Sequence, residues 1–229
     1  MCGRYAASRN ADDLLMHFEV QDPPEQVLPP SWNVAPTDRV HLVAVRDGRR
    51  VLQVARWGLV PSWAKNVTVG ARFINARAET VADKPAFRAA YARRRCLLPA
   101  DGYYEWKRDG AAKAPWFLSD RTGDPLAMAG LYELWRAPDG PWVRSCTIVT
   151  TSAPDELGEI HERTPLLVPR EAWTPWLDPE LAHPGDLLVP GVPGVLDAWP
   201  VGPAVGNVRT QGPQLCEPVP SPGPGSPGG

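Results

Sequence analysis

The second residue, Cys2, carries the functional groups with the most distinctive chemistry in this chain. It follows the initiator methionine in Met1-Cys2-Gly3-Arg4-Tyr5, and a small residue there normally permits removal of that methionine. The mature chain is then expected to begin with a cysteine whose α-amine has a reference pKa of about 7.7 to 8.0 and whose thiol has one of about 8.5. Both groups can attack one aldehyde carbon, first to give an imine and then a five-membered thiazolidine. The alternative is a small apolar residue at a poorly ordered terminus.

Three polar residues stand inside apolar stretches and could assist such a nucleophile. They are Asn75, Glu105 and His161. A carboxyl group among aromatic side chains has a raised pKa and transfers protons near neutral pH, as an imidazole does, while an amide can orient an amine or an oxyanion. Each also has a structural interpretation: Asn75 could brace a loop, Glu105 could be the outward member of an alternating strand, and His161 could lie on the surface at a helix end.

Composition and charge limit the class of protein. With 229 residues, 43% of them hydrophobic, the chain can bury a real core. A formal net charge of −2 argues against an indiscriminate nucleic-acid coat, although it leaves a local basic groove possible. Most of the 24 basic residues are arginine, which suits phosphate contact and base stacking. A GC-rich genome would give the same bias.

The cysteines and the apolar segments predict a cytosolic protein without a metal or another cofactor. Cys2, Cys96, Cys146 and Cys216 are widely spaced and form no CxxC pair. In a reducing compartment, all but Cys2 are expected to be buried small side chains. No stretch has the length of a membrane span or the pattern of a signal peptide.

Periodicity and turn signals predict a mainly antiparallel β protein with a few helices. Strands are expected at Val40 to Arg46, Arg50 to Trp57, Arg95 to Leu98, Tyr103 to Lys107, Trp116 to Ser119, Leu126 to Leu134 and Trp142 to Thr151, with late strands near Leu187 and Leu196. Helices are expected at Asp12 to Glu19, with Asn10 as N-cap and Leu14, Leu15 and Phe18 buried, and at Asp83 to Arg93, Pro154 to Ile160 and Arg170 to Leu177. A loop is expected at Trp32 to Thr37. The Pro- and Gly-rich stretch 217–229 is expected to be a disordered tail.

Six motifs follow one another along the chain: Met1-Cys2-Gly3-Arg4-Tyr5, Asn33-Val34-Ala35-Pro36-Thr37, Trp57-Gly58-Leu59-Val60-Pro61-Ser62-Trp63, Ile74-Asn75-Ala76-Arg77-Ala78-Glu79-Thr80, Ala100-Asp101-Gly102-Tyr103-Tyr104-Glu105-Trp106 and Ile160-His161-Glu162-Arg163. Together they resemble one known family, that of the SOS-response-associated peptidases (SRAP). The similarity runs from Cys2 to about Leu215 and includes Ala204-Val205-Gly206-Asn207-Val208-Arg209. No single motif is specific, but their order is.

The resemblance implies an α+β fold, mainly antiparallel β with a barrel-like core and peripheral helices, in one domain over residues 1–216. It implies a monomeric, cytoplasmic protein, associated with the nucleoid when it acts on DNA. That protein crosslinks through Cys2 to abasic sites in single-stranded DNA and shields the lesion. By motif, the active-site set is Cys2, Asn75, Glu105 and His161. Arg4, Arg77 and Arg163 would hold phosphates or flanking nucleotides, and Trp106 would stack on a base.

This sequence departs from the family pattern at three positions. Thr164 and Thr210 stand where methionine and asparagine are common, and we expect them to change packing rather than chemistry. Ala64 follows Trp63 where some relatives carry an aromatic wedge, which puts one stacking contact in doubt.

Two other functions fit the same residues. In an N-terminal-nucleophile hydrolase or thiol peptidase, the Cys2 thiol attacks an amide, its own amine is the base, and Asn75 lines the oxyanion hole. In a non-catalytic reader of modified bases, Trp106 and the arginines supply stacking and phosphate contacts. A weak lyase activity at abasic sites would accompany the crosslinking reaction if the imine intermediate eliminated.

Overall fold

The strands form two sheets, one of which closes on itself. The computed structural model describes residues 2–109, 112–137, 139–182, 184–189 and 193–220. Its strands are β1 (Tyr5–Ala7), β2 (Ser31–Val34), β3 (Arg39–Arg46), β4 (Arg49–Trp57), β5 (Asn75–Arg77), β6 (Arg95–Ala100), β7 (Gly102–Asp109), β8 (Ala112–Asp120), β9 (Leu126–Arg136), β10 (Trp142–Ser152), β11 (Arg163–Pro165) and β12 (Leu196–Pro200). Its α-helices are α1 (Ala11–His17), α2 (Arg88–Arg93) and α3 (Trp173–Leu177).

Five strands make a closed barrel. β4, β3, β6, β9 and β10 pair antiparallel in that order, and β10 returns to β4 as a parallel neighbour with Ser145 opposite Arg56. The β3–β4 hairpin turns at Asp47 (φ 52°) and Gly48 (φ 74°), the positive φ pair of a type I′ turn. Closure leaves these strands without the unpaired edge that an open sheet exposes. β10 also pairs with β5 and β11, which brings both short strands to the barrel.

The second sheet holds the start of the chain. Its order is β12-β8-β7-β1-β2, and its pairings are antiparallel. β1 lies between β7 and β2, with Tyr5 opposite both Tyr103 and Val34. Because both edges of β1 are paired, the residues just before it have a fixed position.

Alternate residues of the barrel strands enter two different hydrophobic clusters. Leu42 and Ile148 pack in the cluster that also contains Cys2 and Tyr103. Their sequence neighbours point to the opposite face of the strand, and there they meet the helices. That second cluster includes Val43 and Val149 from the barrel, Leu14 from α1, Tyr91 from α2 and Trp176 from α3.

The expected fold class is confirmed: mainly antiparallel β with a barrel and peripheral helices. The two predicted β runs at residues 40–57 form β3 and β4. In α1, Asn10 is the N-cap and accepts from Asp13 N, while Leu14 and Phe18 are buried and Leu15 is partly buried.

Other expectations need correction. The predicted loop at Trp32 to Thr37 begins inside β2, because that strand gains its order from pairing with β1 rather than from its own composition. The predicted strand near Leu187 is a 3₁₀ helix, Gly185–Leu187, which follows Pro184. Among the predicted helices, residues 83–93 become α-helical only from Arg88, because Pro85 has no N–H for a helical hydrogen bond. The helix predicted at Pro154 to Ile160 is the 3₁₀ helix Asp155–Glu159.

The predicted tail is only partly within the described residues. Its first part contacts β12: Val219 N donates to Pro200 O at 2.9 Å, and Pro218 forms an isolated bridge with Val201. Residues 221–229 lie outside the described residues, and so does Gly110 of one predicted turn.

No helix among the described ranges has the length and apolar character needed to cross a membrane. Within the same ranges, no three His, Cys, Asp or Glu side chains are grouped as ligands for a metal ion.

Candidate functional site

Cys2 lies just before β1 and is fully buried. Its side chain packs in the cluster that contains Tyr5, Trp57 and Tyr103, and its Sγ lies 4.0 Å from Arg4 O. Burial, aided by the nearby negative charge of Glu105, raises the pKa of the thiol well above its ordinary value. The sulfur in this setting is therefore held as a neutral thiol rather than a thiolate.

Asn75 is held against Cys2 by the barrel. It begins β5, where it lies opposite Ile148 of β10. The preceding carbonyl, Ile74 O, accepts from Trp57 Nε1 at 2.9 Å. From this position Asn75 Nδ2 donates to Cys2 O at 2.8 Å, and within the described residues its buried Oδ1 has no hydrogen-bond partner. The side chain thus fixes the Cys2 carbonyl and keeps one acceptor available.

Glu105 lies in β7, the strand that pairs with β1. Because the two strands run antiparallel from Tyr5 and Tyr103, residues after Tyr103 lie beside residues before Tyr5. Glu105 is only 4% exposed, so the interpretation of an outward-facing strand residue is wrong. Burial raises its pKa above the ordinary value of a glutamate. The carboxyl group therefore holds a proton at a higher pH than an exposed glutamate would.

His161 has a defined ring orientation. It follows the 3₁₀ helix Asp155–Glu159, and its backbone N donates to Leu157 O. Its Nδ1 accepts from the backbone N–H of Arg163 at 3.0 Å. An accepting Nδ1 carries no hydrogen, so the neutral ring has its proton on Nε2. The ring lies close enough to Glu105 that protonation of His161 would lower the pKa of the carboxyl group.

Arg163 makes its hydrogen bonds with protein groups. Its Nη1 and Nη2 form a bidentate ion pair with Glu79 at 2.6 and 3.0 Å, and Nη2 also donates to Thr150 O at 2.6 Å. The side chain is 11% exposed, and the pair lowers the pKa of Glu79. Arg77 is exposed and, among the described residues, forms no side-chain ion pair or hydrogen bond. Glu79 thus pairs with Arg163 rather than with the nearer residue in sequence, Arg77.

Arg4 contacts the end of the domain. Its Nη1 donates to Asn33 Oδ1 at 2.6 Å and to Val205 O at 2.8 Å, and partial burial lowers its pKa. Trp106 is partly buried and packs beside the cluster formed by Tyr104 and Phe117. The structure therefore brings Cys2, Asn75, Glu105 and His161 together, while the arginines and Trp106 lie on the elements around them.

The sequence analysis did not identify a pair of hydroxyl groups at the site. Tyr103 OH and Thr164 Oγ1 are 2.8 Å apart, and both side chains are buried. Burial raises the pKa of Tyr103, and the hydrogen bond with Thr164 acts in the opposite direction. The threonine that departs from the family pattern thus supplies a hydroxyl partner to a tyrosine at the site. Tyr103 precedes Glu105 by two residues and shares its strand face, a period-2 signal that could have identified it.

A close glycine contact fixes the loop that carries Trp63. At Gly58 (φ 122°) a Cβ would lie 2.7 Å from Gly70 O, so the two ends of the loop meet only because position 58 lacks a side chain. Trp63 is 59% exposed, whereas Ala64 is buried and its carbonyl accepts from Trp135 Nε1. Only the first residue of this pair is available to an external ligand.

The chain is similar to a known protein family, to curated proteins and to a solved structure. The family model of the SOS response associated peptidase (SRAP) matches residues 1–208. The chain is similar to "Abasic site processing protein YoqW" of Bacillus subtilis, with 38% identity over 223 residues, covering 95% of this chain and 99% of the relative. It is also similar to "Abasic site processing protein YedK" of Escherichia coli, with 34% identity over 229 residues, covering 96% and 100%. A crystal structure of a protein from Bacteroides thetaiotaomicron has a TM-score of 0.85 and 25% identity, covering 95% of this chain and all of that one.

Proposed function

The chain belongs to the SOS response associated peptidase family, and from that premise we propose that it processes abasic sites in single-stranded DNA by forming a covalent thiazolidine through Cys2. The observation that carries the proposal is the Asn75 Nδ2 to Cys2 O hydrogen bond of 2.8 Å, which fixes the candidate nucleophile. The charge of Glu105 acts on Cys2, and the charge of His161 acts on Glu105.

The first step opens the sugar. An abasic deoxyribose is mostly a closed hemiacetal, and opening moves a proton from the anomeric hydroxyl to the ring oxygen. Glu105 is suited to this transfer because burial raises its pKa, so it gives and takes a proton at a higher pH than an exposed glutamate does. His161 is the second candidate, since its Nδ1 is engaged with Arg163 N and its Nε2 carries the mobile proton.

The second step joins the protein to the sugar. After Met1 is removed, the Cys2 amine attacks C1′ of the aldehyde, and the resulting carbinolamine loses water to give an imine. The Cys2 Sγ then adds to the same carbon, and the thiol proton passes to the nitrogen. Because the buried sulfur is held as a neutral thiol, a neighbouring base must take that proton and pass it to the nitrogen, and Glu105 is the carboxylate whose charge acts on the sulfur.

Ring closure protects the strand. An imine at C1′ is an electron sink that promotes β-elimination and strand cleavage, whereas the thiazolidine carbon is saturated and does not. Amine and thiol belong to one residue, so closure has the high effective concentration of an intramolecular reaction, as large as about 10⁵ M in favourable systems. The fixed carbonyl of Cys2 reduces the freedom that remains to be lost.

The surroundings of Cys2 suit a nucleic-acid strand. Arg77 is exposed, and Trp63 is 59% exposed on its loop. We propose that Arg77 contacts phosphate and that Trp106 or Trp63 stacks on a flanking base. Arg4 and Arg163 would support the strand from partly buried positions while holding Asn33 and Glu79.

The test is a denaturing gel of Met1-processed protein incubated with single-stranded DNA that carries one abasic site. We expect a covalent band with wild type and none with Cys2→Ala or with a chain that keeps residues in front of Cys2. Cys2→Ser should leave only an adduct that hydrolyses. A full yield of stable adduct from the blocked chain would refute the thiazolidine.

The same gel separates the two rival functions. A hydrolase would cleave amides and give no band with abasic DNA. A non-catalytic reader would bind the strand reversibly and disappear from the denaturing gel. Intact undamaged DNA is the control for each protein.

A further inference from the structure

A second basic surface lies outside the Cys2 site, in a groove between the first residues of β10 and the strands β3 and β4. The groove has a volume of about 540 Å³. Three arginines line it, Arg39, Arg56 and Arg144, together with Trp142. Trp142 is 65% exposed, so a large aromatic surface borders a positively charged groove.

The three arginines keep their charge uncompensated. Within the described residues none of them forms an ion pair with a carboxylate. Arg39 donates to the neutral side chain of Gln26, Arg56 Nη1 to Thr37 O at 2.8 Å, and Arg144 Nη1 to Val54 O at 3.2 Å.

One carboxylate also lines the groove. Glu25 is the acidic residue there, and its partner is Arg46 at 3.6 Å. The groove therefore remains net positive, although the whole chain has a net charge of −2.

The guanidinium groups are oriented for a ligand in the groove. The Nη1 donors of Arg56 and Arg144 hold backbone carbonyls, and Arg39 Nη2 donates to Gln26 Oε1, which fixes each planar fork. Among the described residues, Nη2 of Arg56 and of Arg144 has no hydrogen-bond partner. A fixed guanidinium with an open amino group is a ready phosphate donor.

Trp142 is fixed as well. It lies opposite Arg136 across the β9–β10 pair, and the Arg136 guanidinium sits 5.8 Å from the Trp142 ring centroid. A guanidinium at this distance favours one face of the ring. The exposed aromatic surface can then accept a nucleobase, since base stacking on such rings needs no sequence recognition.

The groove is close to the Cys2 site. Asn75, which holds Cys2, pairs with Ile148 of β10, and Arg144 lies four residues earlier on that strand. At about 3.3 Å per residue this is about 13 Å along the strand. A second link is Arg56, which precedes Trp57, the residue whose indole bonds to Ile74 O.

We propose that this groove binds the single-stranded nucleic acid beyond the lesion, with phosphates on Arg39, Arg56 and Arg144 and one base on Trp142. The inference rests on the proposed function for the direction of the strand. Its chemistry, a polyanion with unpaired bases, follows from the groove alone.

The test measures reversible binding of a long undamaged single strand by Trp142→Ala and by Arg39→Gln/Arg144→Gln. We expect about a 10-fold weaker affinity for Trp142→Ala, within the range for loss of one stacked base. The double variant should lower the log–log salt slope by about 1.4, since each lost phosphate contact on a single strand removes about 0.7. Arg121→Gln is the matched control, because it removes one charge from an exposed arginine that pairs with Asp197 on β12.

Two further substrates make each outcome decisive. A base-free phosphodiester strand of equal length should be unaffected by Trp142→Ala; an equal loss there would refute stacking. Duplex DNA that loses as much affinity as the single strand would refute the preference for unpaired bases. Wild-type affinity and salt slope in both groove variants would overturn the site.

A separate assay of adduct formation tests the proposed function. A short abasic oligonucleotide, limited to the lesion and its immediate neighbours, should form the adduct equally with wild type and groove variants. Failure of wild type to form an adduct would count against the function and leave the groove measurements on undamaged DNA unaffected.

Discussion

At the scale of single residues, Asn75 has one engaged polar atom and one open one. Its Nδ2 holds Cys2 O, while its buried Oδ1 has no partner in the described part of the chain. An unpaired buried acceptor costs about 1–3 kcal/mol, which the molecule tolerates at few places. A hydrogen on the freed Cys2 amine would satisfy it, so the orphaned oxygen is consistent with a site that is completed by processing of the terminus.

Asn75→Asp tests this arrangement. The substitution replaces the donor with a carboxylate oxygen facing Cys2 O, and the two oxygens repel. We expect adduct formation to slow by about 100-fold at neutral pH and to recover partly as the pH falls and the new carboxyl group gains a proton. Single-turnover adduct formation across a pH series measures this. Affinity for undamaged single strands should stay at the wild-type value, and a variant with the wild-type rate would show that Asn75 only braces the loop.

Glu105→Gln tests the proton transfers. Glutamine keeps the shape but cannot cycle a proton, so we expect formation of the adduct to slow by about 100-fold or more. Because opening and closing pass through the same proton transfers, reversal should slow as well and leave a longer-lived adduct. Both rates are measured by trapping and by chase with excess abasic DNA. Wild-type rates in both directions would transfer the acid–base role to His161 or to water.

The same substitution has a stability signature. Burial raises the Glu105 pKa in the folded protein above its unfolded value, so the folded state binds the proton more tightly. This tighter proton binding stabilises the folded state fully below the unfolded pKa of Glu105, and the stabilisation is lost as the pH rises through the folded pKa. Glu105→Gln avoids that loss, so the Tm of the variant minus that of wild type should grow as the pH rises above the unfolded pKa of a glutamate, about 4.3. A constant difference would mean that the carboxyl group is not desolvated in solution.

At the scale of elements, Arg163 joins three segments around the site. It lies in β11, it pairs with Glu79 in the 3₁₀ helix after β5, and it donates to Thr150 O in β10. The segment that carries Asn75 and the one that carries His161 are thereby tied to one barrel strand. Arg77 ends β5 opposite Thr150 of β10, but its exposed side chain makes no such contact among the described residues.

The two arginines therefore have different expected roles, and variants with the same charge change separate them. Arg163→Ala should lower the free energy of unfolding by about 1–3 kcal/mol, because it removes charged hydrogen bonds from a mostly buried group. Arg77→Ala should leave Tm unchanged and lower the log–log salt slope of single-strand binding by about 0.7. Denaturant unfolding and a salt titration of both variants give the readouts. The reverse pattern would make Arg163 the phosphate contact.

The sequence predicted the elements with strong local signals and missed those that depend on pairing. The β3–β4 hairpin is predicted by its alternating residues and by the turn residues Asp47-Gly48, and α1 is predicted by its N-cap Asn10. β2 and β5 are short, and their order comes from neighbours that are distant in sequence. No local pattern reports such pairing, because β-propensity mostly measures the surroundings of a strand.

The candidate site shows the same limit. Cys2, Asn75, Glu105 and His161 were recognisable from their types and surroundings, and the structure brings them together. The pairing of Arg163 with Glu79 could not be recognised, since Arg163 lies in β11 and Glu79 in the 3₁₀ helix after β5, and only the fold decides which arginine contacts the carboxylate. The groove beside Trp142 could likewise not be predicted from the sequence, because its arginines come from three separate strands.

At the scale of the whole molecule, one buried amide joins the beginning of the domain to its end. Asn33 is fully buried, and its Nδ2 lies within hydrogen-bonding distance of the carbonyls of Val205, Asn207 and Thr210, at 3.3, 3.0 and 3.0 Å. Its Oδ1 accepts from Arg4, two residues after Cys2. The C-terminal segment thus closes over the sheet that positions the nucleophile.

Asn33→Ala should loosen this closure at both ends. The change leaves buried carbonyls and the Arg4 guanidinium without their partner, so we expect the free energy of unfolding to fall by about 1–3 kcal/mol and the segment after Val201 to become sensitive to protease. Asn33→Asp separates the two contacts: it keeps an acceptor for Arg4 but sets a carboxylate against three carbonyl oxygens, and should destabilise at least as much.

Gln211→Ala is the control, because its side chain holds Trp32 N from an exposed position. Equal stability of Asn33→Ala and the control would show that the C-terminal segment is held by Val205 and Leu215 in the apolar cluster. Adduct formation should then be unchanged too, whereas a loosened Arg4 is expected to slow it, since that residue fixes the strand on which Cys2 depends.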